Sequence, residues 1–264
     1  WAGLALAQWR TRPTRHLLEQ SLRSGLGDDY RAQIPAARRA VLRDEAPVRE
    51  LLLPFALRDP RVERIRDIRY ADDHPRHVLD IYRPRGGCTR APVLLQIHGG
   101  GWVMGNKHEQ ALPLIHHLAA RGWVVVTPNY RLSPRARFPD PLVDCKRALG
   151  WVRRNIAAQG GDPSLVAVTG GSAGGHLAAL MALTANDPRL QPGFEAVDTT
   201  VAAAVTFYGI YDFTDRHQLK GSGAGMIEWL EKTVMPCPAA ADPALWDLAS
   251  PIMQVRPDAP PFFI

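Results

Sequence analysis

Leu165-Val166-Ala167-Val168-Thr169-Gly170-Gly171-Ser172-Ala173-Gly174-Gly175 decides the fold. A short apolar run rich in β-branched residues stops in glycines, and an Ala/Leu-rich segment with helical character follows to about Thr184. The junction has the pattern G-x-S-x-G. A turn from strand to helix is so tight that its flanking positions must be small, which the glycines and Ala173 satisfy. A serine there sits at a strained elbow, with its Oγ exposed beyond the carboxyl edge of a sheet. It also lies at a helix N-terminus, where the dipole favours developing negative charge. Ser172 is therefore a candidate nucleophile. Taken alone, the stretch also reads as a Gly-rich turn with no chemistry.

Outward from this junction, apolar runs alternate with helical spacing. Residues 92–98 form a run that stops in glycines, residues 108–121 have helical spacing, and residues 123–127 make a second buried-type strand. Residues 139–159 read as a long amphipathic helix carrying Leu142, Val143, Leu149, Trp151 and Val152. Residues 201–207 give a further strand and residues 261–264 start another. Strands free of polar interruption, joined by crossovers of about a dozen residues, predict an α/β fold. Its central sheet should be mostly parallel, with helices on both faces. Before residue 91, Ile65, Ile68 and Tyr70, then Val78, Leu79, Ile81 and Tyr82, read as two strands joined by the polar turn Asp72-Asp73-His74-Pro75. Residues 14–58 are helix-rich, with Leu17, Leu18, Leu22, Val41, Leu42 and Leu51 to Leu53 as apolar faces divided by Pro35, Pro47 and Pro54.

A second motif supports the first. His98-Gly99-Gly100-Gly101-Trp102 follows its own apolar strand, about seventy residues before Ser172. Consecutive glycines let bare N–H groups converge on an oxyanion with no Cβ in the way, and donors preorganised in that manner contribute about 3–4 kcal/mol each to a transition state. Loop and elbow in this order belong together as parts of one site.

Composition narrows the classes. The 264 residues are 46% hydrophobic and 22% charged, which excludes a disordered tail, a collagen-like repeat and a disulfide mini-protein. No stretch reaches the ~18 consecutive apolar residues needed to cross a bilayer. The net charge of +6 sits wholly in the first third: residues 1–90 hold 18 Arg, no Lys and 12 acids, and residues 91–264 hold 14 basic and 14 acidic residues. Such a segment either contacts anionic membrane surface or acidic partners, or simply presents solvated helix faces. The Arg residues are scattered and no recognition motif accompanies them, so nucleic acid is not expected. Cys88, Cys145 and Cys237 are too widely spaced for a disulfide framework or a metal site and favour a reducing compartment. The glycine clusters fit neither G-x-G-x-x-G nor G-x-x-x-x-G-K-[ST]. Neither a metal nor another cofactor is expected.

The chain starts at Trp1 and stops within Pro260-Pro261-Phe262-Phe263-Ile264, and reads as a fragment. Trp1 to Ala7, followed by Arg10, Arg12 and Arg15, is either the cut end of a longer hydrophobic segment with a cytoplasmic flank or an ordinary helix start. Cytoplasmic and membrane-associated locations both stay open.

The sequence resembles bacterial carboxylesterases and lipases of the hormone-sensitive-lipase-like branch of the α/β-hydrolase fold. The resemblance is carried by His98-Gly99-Gly100-Gly101-Trp102, Asn129-Tyr130-Arg131-Leu132-Ser133-Pro134 and Phe138-Pro139-Asp140-Pro141-Leu142-Val143-Asp144-Cys145. Gly161-Asp162-Pro163-Ser164, the Ser172 elbow, Ser250-Pro251 and Pro260 to Ile264 extend it over roughly residues 66–264. It implies a helical N-terminal cap or flank over residues 1–60, a hydrolase core over 61–264 that is incomplete at its C-terminus, and a cap insertion near 209–250. It implies Ser172 as nucleophile and the N–H groups of Gly100, Gly101 and Ala173 as oxyanion hole. Gly99 would shape the loop and His98 would support it rather than act as base. Tyr130 and Arg131 would brace the strand end. Trp102 and Met104 would line a substrate pocket or merely pack the loop.

In that branch the triad aspartate follows the strand that begins at Pro261 and the histidine comes later, so both are expected beyond Ile264. His116 and His117 fall in a helix before the second buried strand, His176 in the helix after Ser172, and Asp212 and His217 in the cap insertion. None suits a general base. The intact parent is then expected to be a serine carboxylic-ester hydrolase, working through an acyl-enzyme on a small-molecule or lipid ester, and the fragment alone to be inactive. If the chain truly ends at Ile264, the alternative is a non-catalytic hydrolase-fold module that acts by binding.

Overall fold

A computed structural model of the chain describes residues 14, 16–39, 59–216 and 223–264. The backbone divides into two units, Trp1–Pro47 and Val48–Ile264. In the first, residues 16–26 are helical and a short helix spans Ala36–Arg39. Glu19 binds Arg23 and Arg31 there. The readings made of Trp1 to Ala7, of Val41 and Leu42, of Leu51 to Leu53 and of His217 lie outside the described residues.

The second unit is built on a seven-stranded sheet. In chain order its strands are β1 (Val62–Arg69), β2 (Val78–Pro84), β3 (Ala91–Ile97), β4 (Val124–Pro128), β5 (Gly161–Gly171), β6 (Ala203–Phe207) and β7 (Phe262–Phe263). Across the sheet they run β1-β2-β4-β3-β5-β6-β7. The pairs β1–β2 and β2–β4 are antiparallel, and every other pair is parallel. The helices are α1 (Leu112–Ala119), α2 (Asp140–Asn155), α3 (Ala173–Leu183), α4 (Gly223–Thr233) and α5 (Pro243–Ala249).

Alternation along each strand sends successive side chains to opposite faces. Tyr82, Leu94 and Val125 pack with Ile115 and Ala119 of α1 on one face. Ile81, Val93, Leu95, Val124 and Val126 pack on the other with Leu142, Leu149 and Val152 of α2 and Leu177, Leu180 and Met181 of α3. Each such side chain, fully buried, contributes about 1.5–3 kcal/mol. Helix α3 is buried all round and hydrophobic all round, as a helix enclosed by its neighbours must be. Among the described residues no helix is long and apolar enough to cross a membrane.

The helix expected over residues 108–121 is shorter than its spacing suggests. It begins only at Leu112, behind Ala111 in the left-handed conformation (φ 57°) and with proline in its first turn. The preceding residues are used for tertiary contacts. Lys107 is buried, with its ammonium 2.8 Å from both Asp80 and Asp67 and its N–H donating to Asn129 Oδ1 at 2.7 Å. Asp80, itself fully buried on β2, also accepts from Arg64 Nε at 2.8 Å and from the Asp67 N–H at the β1 bulge. This network fixes the loop after His98-Gly99-Gly100-Gly101 to the antiparallel edge of the sheet.

Lys146 on α2 is a second buried cation. Its ammonium donates to the Thr184 carbonyl, capping the C-terminal end of α3. Burial lowers its pKa from 10.5 to about 8, with Asp187 offsetting part of the shift. The unfolded chain therefore holds more protons than the folded one between about pH 8 and 10.5, so this group's contribution to stability rises with pH across that window and is flat below it. The unfolding free energy of the protein relative to a Lys146→Met variant should increase by about 2 kcal/mol from pH 7 to pH 9.5. Urea unfolding of the pair at both pH values measures it.

Candidate active site

Ser172 joins β5 to α3 with φ 55° and ψ −122°, a conformation uncommon outside glycine. It costs about 1–3 kcal/mol and persists only where its surroundings enforce it. The surroundings are visible. The Ser172 N–H donates to the Phe207 carbonyl at the end of β6 (2.9 Å), and its carbonyl accepts the first helical bond, from the His176 N–H (3.0 Å). On the other side the elbow presses against β3, where a Cβ at Gly174 would lie 2.2 Å from the Ile97 carbonyl oxygen. The Ser172 hydroxyl makes no hydrogen bond among the described residues, and it stands at the N-terminal end of the α3 dipole.

The glycine loop after β3 lies beside it. A methyl group at Gly99 would sit 2.6 Å from the Gly171 carbonyl oxygen and 3.5 Å from Ser172 Cβ. The direction of its N–H groups follows from where its carbonyls are held, because a trans peptide points N–H and C=O opposite ways. The Gly99 carbonyl accepts from His98 Nδ1 at 2.8 Å, leaving the Gly100 N–H aimed away from that contact. The Gly100 carbonyl accepts from the N–H groups of Val103 (3.1 Å) and Met104 (3.0 Å), which does the same for the Gly101 N–H. Neither N–H, nor that of Ala173 at the start of α3, is engaged among the described residues. The Gly99 N–H is engaged: it donates to Gln110 Oε1 at 2.7 Å.

His98 is buried and stacked on Tyr130 with ring centroids 4.3 Å apart. Burial pulls its pKa down to about 4, and its proton is assigned to Nδ1 because a carbonyl can only accept. A neutral ring committed in this way holds a peptide. Tyr130 completes the clamp, its hydroxyl donating to the His98 carbonyl at 2.9 Å. Arg131 grips buried Asp144 through two of its guanidinium nitrogens, Nε at 2.9 Å and Nη2 at 2.8 Å.

His176 is buried, donates Nε2–H to the Ala249 carbonyl at 2.8 Å, and has its pKa lowered to about 4 by burial. His116 packs edge-on against Tyr82, and His117 lies beside it on α1. Asp212 accepts from the Thr214 and Arg216 N–H groups and so shapes its own turn. No histidine hydrogen-bonds Ser172 among the described residues. Trp102 is 2% exposed, packed among His176, Phe213 and Trp229, and Met104 is 64% exposed.

A cleft of about 300 Å3 opens at Ser172, lined by Gly99, Gly100, Gln110, Leu112 and Tyr208 among others. Trp102 and Met104 are not part of its lining. Gln110 and Tyr208 carried no signal in the sequence, being single polar and aromatic residues outside any motif. A larger cleft, about 500 Å3, involves Arg83, Cys88, Arg90 and Asp162. It lies at the amino-terminal ends of β3 and β5, opposite the carboxyl end at which open α/β sheets bind ligands. Among the described residues no group of three His, Cys, Asp or Glu side chains could hold a metal ion.

The sheet order, the flanking helices and the serine elbow at the carboxyl end of β5 define the α/β-hydrolase fold. The BD-FAE family model matches residues 79–264, and the chain belongs to that family. It is 47% identical to the probable carboxylic ester hydrolase LipM of Mycobacterium tuberculosis, over 94% of this chain and 57% of that protein. It is 41% identical to the esterase LipQ of the same organism, over 97% of this chain and 61% of that protein. A solved structure described as a truncated carbohydrate esterase from gut microbiota superimposes with a TM-score of 0.63 at 25% identity, covering 76% of this chain and 75% of that one. The resemblance to the hormone-sensitive-lipase-like branch holds. The chain spans about three-fifths of the length of these two curated relatives.

Proposed function

We propose that this chain is the nucleophile-bearing part of a carboxylic ester hydrolase acting on a small-molecule or lipid ester through an acyl-enzyme on Ser172. One observation carries the reading: a serine held at positive φ on a strand-to-helix elbow, its hydroxyl making no hydrogen bond among the described residues, beside two clamped glycine peptides whose N–H groups are likewise unengaged among those residues. The relatives' names, as ester hydrolases, support the substrate class.

In this mechanism Ser172 Oγ attacks the ester carbonyl carbon and a histidine takes its proton. The carbonyl oxygen gains the negative charge and is held by the N–H groups of Gly100, Gly101 and Ala173. The C–O bond to the alcohol breaks, the histidine returns the proton to the departing alkoxide, and water then hydrolyses the acyl-serine by the same route. The histidine and its aspartate partner are assigned to sequence beyond Ile264. Two observations support that assignment: none of the described histidines engages Ser172, and the relatives are longer.

An acyl-enzyme has a kinetic signature. The full-length protein mixed with excess p-nitrophenyl acetate should release a burst of p-nitrophenol close to one equivalent per enzyme, followed by slower turnover. Turnover of the ester with no reaction at Ser172 would overturn the proposal, and failure to cleave any simple ester would favour a binding role.

A further inference from the structure

We infer that Gln110 is a positioning residue for the oxyanion loop, an inference that rests on the reading of Ser172 above. Its Oε1 accepts the Gly99 N–H at 2.7 Å, while the carbonyl of the same His98–Gly99 peptide accepts from Tyr130 Oη at 2.9 Å. That peptide is therefore held on both sides. The next one is held through its carbonyl by His98 Nδ1. With the peptides before and after it both fixed, Gly99 loses the backbone freedom that a glycine otherwise keeps, and the direction of the Gly100 N–H is set. Without Gln110, only one side of the first peptide is restrained.

The same contact selects which N–H groups face a substrate. Gly99 lies against Ser172, where an added Cβ would be 3.5 Å from Ser172 Cβ, yet its N–H is occupied by Gln110 while those of Gly100 and Gly101 make no hydrogen bond among the described residues. The amide suits this position better than an acid. It accepts without placing a negative charge next to a developing oxyanion, and Gln110 belongs to the lining of the Ser172 cleft. The segment that delivers Gln110 is itself anchored, through Lys107 to Asp80, Asp67 and Asn129 on one side and through the left-handed turn at Ala111 on the other.

The test uses the full-length protein, with Gln110→Met and Gln110→Ala compared with wild type and with Ser172→Ala on p-nitrophenyl acetate. Displacing a donor from its place costs less than deleting it, so kcat should fall by about tenfold in both Gln110 variants with KM within about twofold. Inactivation by an alkyl phosphonate, whose adduct is tetrahedral, should slow in parallel, and the melting temperature should hold. A folded Gln110 variant with wild-type kcat, or one whose loss lies wholly in KM, overturns the inference. If Ser172→Ala is inert while the Gln110 variants match wild type, only the role of Gln110 is wrong. If Ser172→Ala keeps wild-type hydrolysis, the nucleophile itself has been misassigned.

Discussion

Replacing Ser172 with alanine in the full-length protein should lower kcat on p-nitrophenyl esters by about 10^4-fold or more and leave KM within a few-fold. In the proposed mechanism the hydroxyl oxygen is the atom that bonds to substrate, and the neighbouring N–H groups cannot substitute for it. The fold should not notice the change. Ser172 Oγ makes no hydrogen bond among the described residues, and the elbow is enforced by backbone contacts, to the Phe207 carbonyl and against Ile97, that alanine keeps. An unchanged melting temperature alongside lost turnover is the expected pair of results. Hydrolysis that survives the substitution would mean that the elbow is a turn without chemistry.

The second large effect is expected at Gly100. Its φ is +116°, a conformation that side-chain-bearing residues rarely adopt, and a Cβ there would lie 2.3 Å from the Met104 carbonyl oxygen. The obstruction is backbone, so no rotamer relieves it and the loop itself must shift. Gly100→Ala should therefore cost about 10^2–10^3-fold in kcat, as for loss of an oxyanion donor, together with about 1–3 kcal/mol of stability. Gly86→Ala is the matched control, because nothing lies within 4 Å of a Cβ at Gly86. Equal behaviour of the two variants in kcat and in urea midpoint would remove the argument for the loop.

The parts of the fold that were legible in sequence are those where one local requirement dominates. The G-x-S-x-G elbow and the His98-Gly99-Gly100-Gly101 loop show because close backbone approach admits only small residues, and the largely apolar runs of β3 and β4 show because both of their faces are covered. What stayed hidden depends on partners far along the chain. Helical spacing carried residues 108–111 into α1, but Lys107 and Gln110 are recruited by Asp80 and Gly99 instead. Periodicity assigns charges to solvent, so buried Asp80, Lys107, Asp144 and Lys146 could not be read. Trp102, considered for a substrate pocket because it adjoins the glycines, has φ 61° and packs inward among Phe213, His176 and Trp229, residues 74 to 127 positions further along the chain.

The most direct measurement is the site of covalent attachment. Full-length protein treated with a fluorophosphonate or alkyl phosphonate ester, digested and read by peptide mass spectrometry, should carry one stoichiometric adduct, on the peptide containing Ser172, and the Ser172→Ala variant should carry none. An adduct on a different residue, or no adduct in a protein that still cleaves esters, would contradict the assignment of Ser172 as the nucleophile.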